Sequence, residues 1–523
     1  MFSSGHFEER AETISAQSAG GGDDLLAGTM EVRYQNVLSR TSALLAEKHP
    51  ARRADLWSIM PKFVEAVELT DVLSRLSVVH VAGTKGKGST CAMTESILRS
   101  SGYSTGLFTS PHLCDVRERI RVDGKMVEKA VFVEAAEWCL DRCGLVAGGL
   151  PFFRFMTLVA FKVFEIVGVE AVVLEVGLGG RLDATNIIPK PVVCGVTPLG
   201  YDHMDVLGST LREIAAEKAG IFKVGARALT VPQLPEAMES LTSRSQEIDN
   251  ELVVVDPLES YLNHKDVKDF HNLGGFQQNN ASLAIALARE WETRSLVAGE
   301  NASRKHRLDS LAAGRIPGDY VNGLRDFDWP GRAQIVQDSG RVHRNLTFCL
   351  DGAHTIESME ACGSWFATHA HRSGVSKNIL LFYCMKARDP HDLLFSLGKA
   401  LRTHQVDVHS AIFAPINSSK TSLLWSQNGS KSVEDLMEQR IQRDAWAKVQ
   451  TTLKCEQLSD MSVTDRGPST LSNTESVLPS LDAALLAVRN FADVNAKHDV
   501  RVLVTGSLYL VGDFLKLLGR APK

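Results

Sequence analysis

The sequence predicts an α/β protein in two parts, a parallel-sheet domain followed by a smaller Rossmann-like α/β domain, and three observations carry that expectation. A short apolar run, Val78 to Ala82, breaks abruptly into glycine, lysine, serine and threonine through Thr90. Further short apolar runs alternate with helix-length stretches, the pattern of strands joined by crossover helices. A second series of such runs begins after Trp329.

The first observation is the most specific. Val78 to Ala82 suit a buried parallel strand, and Gly83, Gly86 and Gly88 allow backbone N–H groups to turn inward around an anion. A helix is expected from about Ser89, its unsatisfied N–H groups and positive dipole end facing the same anion, with Lys87 as a compact positive charge. This is the pattern of a triphosphate cradle, and the domain reads as nucleotide-binding. It departs from G-x-x-x-x-G-K-[ST], because Gly88 separates Lys87 from Ser89. The bland alternative, a glycine turn that binds nothing, leaves two lysines and a hydroxyl pair unexplained.

Residues 1–29 carry five acidic residues against one arginine and no apolar core, so they read as a disordered lead-in, with Met30 a conceivable internal start. The first domain spans 30–328. Helical patterning starts at Tyr34, and strands are expected at Val78 to Ala82, Thr105 to Phe108, Ala171 to Val176, Val192 to Thr197 and Leu252 to Val255. Helices are expected at Ser89 to Ser100, Val131 to Leu140, Phe155 to Val167 and Leu211 to Ala219. Periodicity lapses from Ala298 to Asp328, which reads as a break. The second domain, 329–523, has strand candidates at Thr347 to Leu350, Ile379 to Cys384, Ala411 to Ala414 and Arg501 to Thr505, with helices after Glu357, Asp392 and Leu481. A polar insertion occupies 418–480, helical over Val433 to Leu453 and surface-like from Ser459 to Ser476.

Composition bounds the function. A hydrophobic share of 44%, net charge of −5 and pI near 6.4 are those of an ordinary globular chain and argue against a nucleic-acid partner. The nine cysteines are scattered and read as reduced intracellular thiols without a zinc pattern. No apolar run approaches the roughly eighteen residues of a membrane span. A monomer in the cytoplasm is the default expectation, and alternative starts leave room for a mitochondrial form.

Five further segments place chemistry at strand ends. Ser110 follows a strand and precedes proline, where its hydroxyl could reach a phosphate-bound cation, although such a turn is usually only a turn. Glu175 ends a buried strand before Gly177 to Asn186, and ligands gather at the carboxyl ends of strands in a doubly wound sheet. A carboxylate there suits magnesium. Asp202 to Gly208 leads into a helix in which Lys218 sits beside apolar residues, and spacing alone makes that lysine structural. Trp329 to Arg332 and Asp351 to Thr355 complete the set.

These segments, in this order, resemble the Mur ligase superfamily and within it the folylpolyglutamate synthases, over about Tyr34 to Gly512. The carriers are GTKGKGST (83–90), FTSPHL (108–113), PFFRFMT (151–157), LEVGLGGRLDATN (174–186), DHMDVLGSTLREIAAEKAGIFK (202–223), WPGRAQ (329–334) and DGAHT (351–355). The resemblance implies that MgATP phosphorylates a folate carboxylate and that the amine of L-glutamate displaces phosphate, lengthening a γ-linked chain on tetrahydrofolate. It implies that Gly86, Lys87, Gly88 and Ser89 hold the triphosphate, that Ser110, Glu175 and His203 hold magnesium, and that a carbamylated Lys218 holds a second magnesium. It further implies nucleotide contacts from Arg332 and Asp351, and places His354 and Arg388 near glutamate and the reacting centre; a monovalent cation is compatible with the family. Tyr509 and the Phe382 to Lys386 segment depart from the family pattern. The alternatives are a dihydrofolate synthase or bifunctional enzyme and, in another class, a phosphate-loop NTPase or kinase.

Overall fold

The computed structural model describes residues 23–46, 53–146, 149–266, 275–338, 345–370, 376–418, 436–460 and 474–522. The lead-in falls largely outside these, but a helix, Asp23–Ala46, starts within it. Parts of the polar insertion also lie outside.

Eight strands form the first sheet: β1 (Val78–Ala82), β2 (Thr105–Phe108), β3 (Ile120–Val122), β4 (Lys125–Met126), β5 (Ala171–Glu175), β6 (Val193–Val196), β7 (Arg227–Thr230) and β8 (Leu252–Val254). Their order is β4-β3-β2-β5-β1-β6-β7-β8, parallel throughout except for the β2–β3–β4 hairpins. β1 and β5 are buried at every position, as continuous apolar runs with helices on both faces require. The chain leaves β1 toward β2 and leaves β6 toward β7, in opposite directions along the sheet. The crevice at the carboxyl ends of β1 and β6 is therefore a topological switch point, where such sheets bind ligands.

A second sheet holds β9 (Gln334–Gln337), β10 (Leu346–Leu350), β11 (Ser376–Phe382), β12 (Ser410–Phe413), β13 (Thr474–Val477) and β14 (Asp499–Thr505), in the order β13-β12-β11-β14-β10-β9. β9 pairs antiparallel with β10 and the other pairs are parallel. β9 and β13 are edge strands; β13 falls in the stretch expected to be a surface insertion and pairs instead with β12. The helical island of that insertion is the helix Met437–Asp460.

The expected break at 298–328 is a correction: it contains the helices Ala302–Ala312 and Gly318–Arg325. Their polar residues hide a periodic buried set, Arg307, Leu311, Tyr320, Val321 and Leu324. Gly323 packs so closely on the loop helix, Lys87–Ser100, that a Cβ on it would lie 2.6 Å from the Ile97 Cα.

These helices are fixed by one buried carboxylate. Glu292 has no exposed surface and accepts from Tyr103 Oη at 3.0 Å, Tyr320 Oη at 2.9 Å and Arg307 Nε at 2.9 Å. Its neighbour Trp291 donates its indole N–H to the Ser77 carbonyl, 3.1 Å away and just ahead of β1. The helix Gly275–Arg294 is thereby locked against the sheet beside the loop helix. Removing the acid would leave the buried Arg307 guanidinium with only the half-exposed Asp319, 3.2 Å from its Nη1, so Glu292→Ala is expected to lower stability by about 3 kcal/mol, measured by denaturant unfolding.

Candidate functional site

The loop after β1 takes its shape from contacts on both sides. Gly86 sits at φ +83° at the start of the loop helix, and a Cβ there would come within 2.2 Å of Asn280 Oδ1 on the neighbouring helix. Glycine is thus required by conformation and by space. The Thr84 and Lys85 amides both donate to the Pro198 carbonyl, at 3.1 and 3.2 Å, tying the loop to the end of β6. Lys87 Nζ donates to the Gly83 carbonyl at 3.1 Å, and Lys218 Nζ donates to that same oxygen at 2.7 Å. Ser89 is buried in the first helical turn.

Lys218 is 4% exposed. Burial, reinforced by the Lys87 ammonium, brings its amine down to about 7. The turn after Glu175 backs it closely, since a Cβ on Gly180 would lie 2.7 Å from the Lys218 carbonyl oxygen.

Glu175 is also buried, and its Oε2 accepts the Ser110 amide at 2.9 Å. Burial raises its pKa, against the pull of Lys87, the Ser110 amide, Arg332 and Arg119. Gly88 leaves space beside it: a Cβ there would sit 3.3 Å from Glu175 Oε2 and 3.2 Å from the Trp329 ring. Ser110, Glu175, Gly88 and Arg332 line one small cleft with Trp329.

Arg332 and Asp351 enter from the second domain. Asp351 accepts the Ala333 and Ala353 amides at 2.8 and 2.9 Å, and burial raises its pKa although Arg332 opposes the rise. Arg332 feels both Asp351 and Glu175, and burial lowers its pKa. Its Nη1 is buried without a hydrogen-bond partner. An orphaned guanidinium N–H beside a glycine-lined anion loop suits a phosphate oxygen.

His354 Nδ1 lies 2.8 Å from the Gly352 carbonyl, which fixes the ring with Nδ1–H as donor and leaves Nε2 as an acceptor. Burial lowers its pKa to about 4, despite the carbonyl contact. Arg388 Nη2 crosses the domain boundary to lie 3.5 Å from Asp202 Oδ1, and Lys85 Nζ lies 3.1 Å from Oδ2 of the same side chain. Burial would raise the Asp202 carboxyl, but Lys85, His203 and Arg388 outweigh it and bring it to about 2. His203 is half exposed, at φ +52°, with Nε2 3.9 Å from Asp202 Oδ1.

The predicted residues thus gather at the strand ends, with Ser110 joined to Glu175, Lys87 to Lys218, and Arg388 to the His203 segment. His203 is tied to Asp202, with no direct contact to Ser110 or Glu175. Among the described residues no three His, Cys, Asp or Glu side chains form a metal-sized cluster. Sequence reasoning passed over Asp202 and Lys85, although both lie inside quoted motifs, and a second lysine opposite an Asp-His pair was the available signal. It also missed Arg119, buried with Nε on His112 Nδ1 at 2.9 Å and its guanidinium 5.2 Å from the Phe152 ring centroid, because a surface-like Arg-Glu-Arg run gives no sign of burial. Asn280 carries no sequence signal.

Known proteins share this architecture. Residues 334–517 match the family model described as dihydrofolate synthetase, C-terminal domain. The folylpolyglutamate synthase of Mycobacterium tuberculosis, solved with ADP and AMPPCP, is 23% identical with a TM-score of 0.64, covering 89% of this chain and 96% of its own. A folylpolyglutamate synthase of Arabidopsis thaliana is 38% identical over 93% of this chain and 88% of its own length. The human protein named mitochondrial folylpolyglutamate synthase is 35% identical over 93% of this chain and 91% of its own. With identity at this level along nearly the whole length of both chains, and with the strand-end loops of both domains meeting in one cluster, the chain belongs to the folylpolyglutamate synthase family.

Proposed function

We propose that the protein is an ATP-dependent ligase that adds L-glutamate to the γ-carboxylate of tetrahydrofolate and of its polyglutamates. One observation carries the reading: Glu175 of the first domain, beside Lys87, faces Arg332 of the second, beside Asp351, across one cleft, while Arg388 reaches Asp202. An NTPase needs the phosphate cradle alone and a kinase one acceptor beside it; an amide ligase must hold the acceptor carboxylate and also present a second nucleophile, the amine, across the cleft.

In this reading Gly86, Lys87, Gly88 and Ser89 hold the triphosphate, and Arg332 offers its unpartnered N–H to a phosphate oxygen beside Asp351. A carboxylate lacks a leaving group until it is phosphorylated, and the site supplies cations where charge develops on the transferred phosphoryl. Arg388 receives a carboxylate of the incoming glutamate. With a pKa near 4, His354 is too weak a base to carry the amine's proton at neutral pH; its Nε2 orients the attacking amine. The oxygens of Ser110 and Glu175 would suit magnesium, whereas His203, the softer ligand that the resemblance implies, is tied to Asp202 and would have to turn toward them to join. Magnesium, when bound, neutralises the phosphoryl charge. Carbamylation needs a neutral amine, and the buried Lys218 becomes neutral above about 7. The product would be a carboxylate able to hold a second ion.

The family model's description favours one second reading, ligation of the first glutamate to dihydropteroate. No helix of the described residues is long and apolar enough to cross a membrane. Cytoplasmic action fits, and relatives named mitochondrial support a form in that compartment as well.

Labelled glutamate should enter tetrahydrofolate with MgATP more readily than dihydropteroate; the reverse preference selects the second reading, and no incorporation into either defeats both. Lys87→Ala should cost at least a hundredfold in kcat, as loss of a transition-state cation does. Arg332→Gln should weaken ADP binding by about 10–100-fold in calorimetry, the scale of one charge-assisted hydrogen bond. Intact mass in bicarbonate should rise by one carbon dioxide in the wild type and not in Lys218→Arg. As pH falls through about 7 the Lys218 amine takes up a proton, so that adduct should be lost on the acid side and retained on the alkaline side.

A further inference from the structure

The second domain holds a cavity of about 650 Å³, and of its lining the proposed reaction uses Arg388 alone. One wall is the segment from Lys386 to His391, at the entry to the helix Pro390–Thr403. The other is the helix Met437–Asp460, which contributes Ile441, Asp444, Ala445 and Lys448. Those four recur at helical spacing and lie on one face across two turns, so the wall runs for about 10 Å.

Its chemistry is that of a site for several anions in a row. Lys386, Arg388 and Lys448 line it, and Lys386 and Lys448 are exposed. Of the acids present, Asp389 accepts the His391 amide at 2.8 Å as the helix cap, and Asp444 is held by Arg443 at 2.7 Å. Lys386 pairs with Glu438 at 2.7 Å, but its side chain is 82% exposed, and such pairs exchange easily for a ligand carboxylate. Arg388 belongs both to this cavity and to the Asp202 cluster, so the two adjoin at that residue.

We propose that the cavity binds a run of γ-linked glutamates, the polyanionic tail of the folate product; the inference rests on the ligase reading above. One amino acid spans about 3.5 Å of extended chain and would leave most of the wall empty. A chain with a carboxylate on every residue fills its length and meets Arg388, Lys386 and Lys448. Because Arg388 is shared, a tail lodged there competes with incoming glutamate, and elongation slows as the tail lengthens.

The test titrates a γ-linked glutamyl tetrapeptide into the full-length protein without ATP or folate. Binding should weaken steeply with salt. It should fall at least tenfold in Lys386→Glu/Lys448→Glu and return in Lys386→Arg/Lys448→Arg, with thermal unfolding of each variant confirming that the fold is kept. Absent binding, equal affinity in the charge-reversed variant, or equal affinity for an α-linked glutamyl tetrapeptide overturns the proposal. Glutamate incorporation by the wild type is measured in parallel: its absence tells against the ligase reading, and absence of peptide binding alone tells against this site.

Discussion

The carbonyl oxygen of Gly83 organises the first domain's half of the site. Lys87 and Lys218 both donate to it, and one comes from the loop while the other comes from a helix far along the chain. Burial disfavours the charged form of Lys218 and the Lys87 ammonium on the same acceptor adds to it, so the Lys218 pKa is lowered. The loop is therefore folded in a shape already biased toward negative charge. Its tightness at Gly86 against Asn280 and its closure on the Pro198 carbonyl hold the same loop from two other sides.

Asp202 does the corresponding task between the domains. A carboxylate brought to about 2 stays ionised across the physiological range, and it collects Lys85, His203 and Arg388 from three separate segments. Arg388 is the member from the second domain, so this anion registers whether the two halves are correctly apposed. The arrangement sets the cations Lys85, Lys87, Lys218, Arg332 and Arg388 around three carboxylates, Glu175, Asp202 and Asp351. A negatively charged substrate completes such a field.

Much of this was legible in the sequence because the informative residues are short apolar runs ending in glycine. β1, β2, β5 and β6 lie where those runs predicted them, and the helix Leu211–Ala219 agrees at both ends. The elements that escaped are those whose burial is not announced by hydrophobicity. The helices at 302–325 bury an arginine and a tyrosine on Glu292, so their periodicity is partly polar. β9 is half exposed, and β13 begins within a serine- and threonine-rich run. The site divides in the same way: glycine loops could be read directly, whereas Asp202, Lys85, Arg119 and Asn280 acquire meaning only from partners distant in the chain.

The contact between Gly512 and Leu113 extends that lesson to the joint between domains. A Cβ on Gly512 would lie 2.2 Å from the Leu113 carbonyl oxygen, and the Cys114 thiol donates to the Gly512 carbonyl at 3.1 Å. The two halves meet there main chain to main chain, on the segment that carries Ser110. The joint can therefore tolerate wide drift in the surrounding surface residues while rejecting a single added methyl group. What it selects for is the absence of an atom, a constraint that charge, hydropathy and residue-type counts do not register.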